Sequence, residues 1–194
     1  RILGTGTSTG VPTIGCTCPV CQSADPRDSR LRTSVLYEED NTRILLDCGP
    51  DFRQQILPIP FKPLQAVLLS HEHFDHVAGI DDLRSFSYRG ELPIYTNELT
   101  RLHLEQRMPY CFVDKTYPGI PKLSLNSIKP YQHFQVGKVD ITALPVMHGD
   151  LPIFGYRLNQ MAYITDMSQM PEETFSQLNG LEVLILNALR LKPH

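Results

Sequence analysis

Residues 70–76 read Ser-His-Glu-His-Phe-Asp-His, an H-x-H-x-D-H pattern that sets three imidazoles and a carboxylate close together. Burying such a cluster is unfavourable unless a cation takes its lone pairs. Neutral imidazole and carboxylate form a good ligand set for Zn²⁺ and similar ions. His71 and His73 suit one metal, and Asp75 and His76, displaced along the same loop, suit a second. His148 and Asp166 are further candidates, each placed just after a strand-like run. A carboxylate between two cations can bridge them. The reading that follows sets His71, His73 and His148 on one metal and Asp75 and His76 on the other, with Asp166 bridging.

A second cluster, Cys16, Cys18 and Cys21, spaces three thiols as C-x-C-x-x-C. Thiols that close rarely pair without strain. Three thiolates need one more donor to close a tetrahedral Zn²⁺ site, and Cys48, His133 and His194 are the weaker candidates for it. Such a zinc would be structural and would pin the glycine-rich loop at 4–10. That loop is spaced G-x-G-x-x-x-G with no Lys after its last Gly, so it is neither a P-loop nor a dinucleotide fingerprint. Its N–H groups and Ser8 could line a site. Arg30, Arg32 and Arg157 could meet a phosphate, although such residues are more often solvated charges. Cys48 and Cys111 read as packing residues, and His103 and His133 as structural or surface residues.

The elements that must carry these side chains are short. The sequence predicts strands near 1–3, 34–38, 42–47, 66–70, 93–95, 134–136, 139–145, 155–158, 161–165 and 181–187. A short helix is expected between Pro50 and Pro58, another over 80–86, and one capped by Asn97 through Arg107 with Leu99 and Leu102 facing inward. Pro171 suits the first turn of a helix through Leu178 that Gly180 ends. Residues 110–129 read as an irregular excursion or lid. Hairpins followed by strand–helix alternation, run twice, predict an α/β architecture of two sheets with outer helices in one domain over 1–194.

Composition narrows the function. The chain has 194 residues with 18 Lys plus Arg against 21 Asp plus Glu, a net charge of -3 that advertises no nucleic-acid surface. Its apolar runs are far shorter than the ~20 residues of a bilayer span. No charged-then-apolar leader is visible, which predicts a cytoplasmic setting with reduced thiols. The chain starts at Arg1 inside a strand and stops at His194 just after another, so the expectation is a domain lacking some C-terminal part.

The H-x-H-x-D-H motif followed by a distant His148 and Asp166 resembles the metallo-β-lactamase superfamily of dinuclear hydrolases. Residues 145–149, 155–157 and 163–166, the opening Leu3-Gly4-Thr5-Gly6 with Gly10-Val11-Pro12, and the Cys16–Cys21 cluster resemble its PhnP-like phosphodiesterase branch, which is related to tRNase Z. The resemblance spans nearly the whole chain. It implies a four-layer αββα sandwich, two active-site metals (Zn or Mn), one structural Zn at the cysteines, and a homodimer. It also implies hydrolysis of a small or cyclic phosphodiester by a water activated between the metals, with Asp75 orienting that water as well as binding metal. Asp47 matches the family's first-motif Asp, whose implied role is to accept a hydrogen bond from a ligand His and fix its tautomer. The equal alternative from its position is a turn Asp before Gly49-Pro50. A further metal-ligand His, a leaving-group acid and the fourth cysteine-site ligand are implied from a tail beyond this chain. Two other readings stay open: a thioester or lactone hydrolase on the same site, and a non-catalytic PqqB-like protein of cofactor biosynthesis. A tRNA substrate is disfavoured because no basic insertion is seen.

Overall fold

The computed structural model describes residues 1–88, 90–112 and 119–189. Its strands form two sheets. The first runs β1 (Ile2–Gly4), β2 (Ser34–Glu39), β3 (Thr42–Leu46), β4 (Ala66–Leu68), β5 (Leu92–Thr96), β6 (Leu123–Ser127) in spatial order. Its first three strands pair antiparallel and β3 to β6 pair parallel. The second sheet runs β7 (His133–Val136), β8 (Val139–His148), β9 (Leu151–Leu158), β10 (Met161–Ile164) and β11 (Val183–Leu186). It is antiparallel except for the β10–β11 pair.

Strand alternation builds the layers. In β3, Ile44 and Leu46 point into a cluster shared with Ile141, Ala143, Tyr156 and Tyr163 of the second sheet, while Leu45 points to the opposite cluster. That opposite cluster holds Phe52 and Ile56 of α1 (Phe52–Ile56), Ile80 and Leu83 of a 3₁₀ segment (Ile80–Phe86), and Leu104 of α3 (Glu98–Arg107). A third cluster lies on the outer side of the second sheet, where Leu144, Val146, Ile153 and Ile164 meet Met170, Leu178 and Leu181 around α4 (Glu172–Ser176). Three apolar layers between helix, sheet, sheet and helix bear out the two sheets with outer helices and make the four-layer αββα sandwich that the resemblance implies.

Several local expectations change. The strand predicted over 139–145 continues to His148, so that residue ends a strand instead of following one. Residues 110–129 are not wholly irregular, because Leu123–Ser127 pairs in parallel with β5. The part of the proposed lid at 113–118 lies outside the described residues. α3 is capped as expected, with the Asn97 side chain accepting from Thr100 N at 2.8 Å. Its predicted inward residues, however, face out: Leu99 and Leu102 are 37% and 41% exposed, while Thr100 and Leu104 are fully buried. The face toward the Glu72 loop carries Thr100, His103 and Arg107, which bind polar groups of Glu72, while Leu104 packs in the core. Periodicity of apolar residues misassigns a helix whose packed face is largely polar.

Two glycines set a close approach that brings α2 (Phe74–Val77) against the end of β3. A Cβ at Gly49 would lie 2.0 Å from the Asp75 carbonyl oxygen, and one at Gly79 would lie 2.1 Å from the Gly49 carbonyl oxygen. Only glycine fits there without moving backbone.

Candidate metal centre

Four strand ends converge. Asp47 follows β3, Ser70 and His71 follow β4, His148 ends β8, and Asp166 follows β10. His73 is the cap position of α2, and Asp75 and His76 lie in its single turn, so the second half of the motif is helical where a loop was expected. The helix turn points both acidic and imidazole groups back toward the β4 end.

The donor atoms fall into two groups, each with its atoms within 4.8 Å of one another: His71, His73 and His148, and then His71, His76 and Asp166. The first group matches the trio read from the sequence. The second differs from it, because His71 belongs to both groups and Asp75 stands beside the second with Oδ2 3.2 Å from His76 Nε2. Asp166 Oδ2 lies 2.9 Å from His76 Nε2 and 3.8 Å from His71 Nε2, between the two rings. His71 is fully buried and its Nε2 has no hydrogen-bond partner among the described residues. An orphaned ring nitrogen facing a carboxylate and two further imidazoles fits a cation better than any neutral packing.

Asp47 organises this centre from below. It is fully buried and accepts four hydrogen bonds: from Ser70 N (2.8 Å) and Ser70 Oγ (3.0 Å), from the Tyr163 hydroxyl (2.7 Å), and from His76 Nδ1 (2.8 Å). With Nδ1–H directed at Asp47, His76 turns its Nε2 toward the site. Ser70 does the same for His71 at one remove. Its single hydroxyl proton goes to Asp47, so its oxygen accepts from His71 Nδ1 at 2.9 Å and leaves Nε2 unprotonated. Asp47 and Asp166 both hold positive φ, at 58° and 54°. Left-handed backbone costs roughly 1–2 kcal/mol away from glycine. Asp47's four hydrogen bonds hold it there.

Charge follows the same geometry. Burial drives the His71 pKa down to about 4, helped by the neighbouring His76. Burial also opposes charge on His76, but Asp47, Asp166 and Asp75 outweigh it and hold that imidazole well above its ordinary value. Burial would raise the Asp166 carboxyl, yet His76 and the other histidines bring it to about 2. Three carboxylates around one imidazole form a strongly anionic pocket. The donors therefore fit divalent cations on charge as well as on geometry.

The sulfur atoms of Cys16, Cys18 and Cys21 also lie within 4.8 Å of one another. Cys16 and Cys18 are exposed and all three are free thiols. Cys21 N and Thr13 N donate to Cys18 Sγ and Cys21 Sγ, which suits thiolates. The fourth-ligand candidates do not join them. Cys48 is buried in the core, and His133 sits on β7 beside Thr142 and Asp140. His194 lies outside the described residues. Of the arginines, Arg32 pairs with Asp51 and donates to Ser8 O, and Arg157 donates to the carbonyls of Asn159, Gln177 and Asn179. Both act as structural ties here. The sequence reading missed Ser70, Tyr163 and Glu72. A hydroxyl immediately before a ligand-type His was a usable signal for Ser70. The other two are brought in by distant packing.

Residues 42–194 match the model of the beta-lactamase superfamily domain. A curated octanoyltransferase of Porphyromonas gingivalis is 46% identical over 98% of this chain, which spans 39% of that protein's length. Coenzyme PQQ synthesis protein B relatives are matched over about a third of their length. Among solved structures, a diphosphatase from the PhnP family superposes with a TM-score of 0.91 at 39% identity, covering 100% of this chain and 75% of that one. Zn²⁺-bound PqqB of Methylobacterium extorquens superposes at 0.79 with 22% identity, covering 96% of this chain and 71% of that one, a likeness of fold.

Proposed function

The chain belongs to the beta-lactamase superfamily, and from that premise we propose that it is a metal-dependent hydrolase acting on small or cyclic phosphodiesters. The observation that carries the proposal is the pair of donor groups sharing His71, with Asp166 between His71 and His76. The 39%-identical PhnP-family diphosphatase supports phosphorus–oxygen chemistry over other bonds. Two divalent cations, Zn²⁺ or Mn²⁺, would supply an acidified water and neutralise charge on the phosphoryl oxygens.

His71, His73 and His148 would hold one cation, and His76, Asp166 and Asp75 the other. Asp47 and Ser70 turn the two Nε2 atoms toward the site. Asp75, 9% exposed and beside His76, is placed to accept a hydrogen bond from an attacking water and aim it. His73 is exposed, leaving the first position open to substrate. The cysteine trio would take a structural Zn²⁺ remote from the reaction. The octanoyltransferase relative favours one second reading, cleavage of an acyl thioester on the same donors.

The test is hydrolysis of a chromogenic phosphodiester beside a thioester and a lactone by metal-loaded protein. Phosphodiester turnover that chelation abolishes and Asp75→Ala lowers by about 100-fold or more is the expected result. Thioester turnover alone would replace it with the acyl reading. No turnover with both metal positions filled would leave a binding role of the PqqB kind.

A further inference from the structure

Glu72 is the unexplained member of the motif: a carboxylate on the residue between two ligand histidines, only 6% exposed. A buried carboxylate is costly unless it is fully hydrogen-bonded. Among the described residues, the side-chain groups that satisfy it come from α3. Thr100 Oγ1 donates to Oε2 at 3.1 Å, and His103 Nδ1 lies 3.1 Å from Oε1. Arg107 Nη1 donates to the Glu72 backbone carbonyl at 2.7 Å. Positions 100, 103 and 107 form one stripe of a helix.

Residues 69–73 belong to no strand or helix, and backbone bonds to neighbouring strands hold only their start, where Leu69 N donates to the Tyr95 carbonyl and the Ser70 carbonyl accepts from Phe154 N. Tyr156 and Thr96 hydroxyls also hold the Leu69 carbonyl, and beyond it side chains anchor the segment at two points. Ser70 is tied to Asp47 through both its N–H and its hydroxyl. Glu72 is tied to α3. His71 lies between these anchors and His73 just beyond the second. Directional hydrogen bonds fix the rotation of a segment, which apolar packing would leave free to slide. We propose that Glu72 is a positioning residue through which α3 sets the placement of the His71–His73 pair. This rests on the metal-site reading above.

The test is divalent-metal titration of the whole chain against a chromogenic chelator, with thermal melting of the metal-free protein beside it. Glu72→Leu should weaken one of the two active-site metal equivalents by about 10- to 100-fold and leave the other, and the one at the cysteines, near their original affinities. Glu72→Gln, which keeps an acceptor oxygen, should recover most of the loss. The paired change Thr100→Val with His103→Leu leaves the motif intact and should reproduce the Glu72→Leu pattern. It decides the matter if Glu72→Leu fails to fold. Unchanged affinities in these variants would overturn the clamp. So would parallel weakening of both equivalents in step with the melting temperature, which marks a merely structural loss. Wild-type protein that fills both active-site positions yet hydrolyses nothing would overturn the proposed function and leave the clamp standing. Wild-type protein that fills neither active-site position would overturn both.

Discussion

Asp47 shows how much one side chain can organise. Its carboxylate meets only donors: Ser70 N, Ser70 Oγ, His76 Nδ1 and the Tyr163 hydroxyl. Asparagine tolerates the positive φ at this position, so Asp47→Asn isolates the hydrogen bonding from the backbone. The amide would turn a donor toward donors whichever way it flips. Urea unfolding should show a loss of about 2–4 kcal/mol. Metal titration should show weaker binding at the position that uses His76, by about 10- to 100-fold. Full retention of metal affinity in a folded Asp47→Asn protein would remove Asp47 from the centre's organisation. The sequence offered Asp47 equally as a turn residue. Its burial and four partners decide for the interior role.

At the scale of elements, the β2–β3 hairpin hides a charge. Arg43 is 4% exposed, pairs with Glu38 Oε1 at 2.6 Å, and reaches the carbonyls of Pro60 and Lys62. It thereby fastens the loop before β4 to the hairpin. The Arg43 guanidinium, against a smaller opposing effect of burial, holds the Glu38 carboxyl below its ordinary value. A carboxyl depressed on folding adds stability above its unfolded pKa of about 4.3 and loses it as pH falls through the folded value. Thermal melts should therefore place Glu38→Gln below wild type by about 2–4 °C at pH 7. The gap should close as the pH is taken below 4. A gap that is constant with pH would assign the effect to packing and not to the ion pair. α3 teaches the complementary lesson: its existence and its Asn97 cap were legible, whereas its buried face was not, since the groups it binds belong to the loop at Glu72.

Across the whole molecule, two tyrosines of the second sheet cross the central layer and donate to the first. Tyr156 donates to the Leu69 carbonyl at 2.7 Å, and Tyr163 donates to Asp47 at 2.7 Å. Both side chains are buried to within 1%. Replacing either with Phe should cost about 1–2 kcal/mol in unfolding free energy. The two variants should separate on metal titration. Tyr163→Phe removes a donor from the carboxylate that orients His76, so its affinity should fall, while Tyr156→Phe should bind metal as wild type does. Equal binding by both would mean the sheet interface does not tune the centre. Among the described residues no helix is long and apolar enough to cross a membrane.

Spacing and composition were enough for the donor types, the strands that lead into the motif, His148 and Asp166, the two-sheet alternation and the likeness to the superfamily. These are properties of near neighbours in the chain, where spacing and periodicity act directly. Tertiary structure alone decided that His71 belongs to both donor groups, that Asp166 comes to rest between His71 and His76, that Asp47 reaches four donors, and that α3 turns a polar face inward. Such groupings join residues far apart in sequence, His76 with Asp166 across 90 positions and Asp47 with Tyr163 across 116. They depend on the register and packing of separate layers, which no local pattern contains.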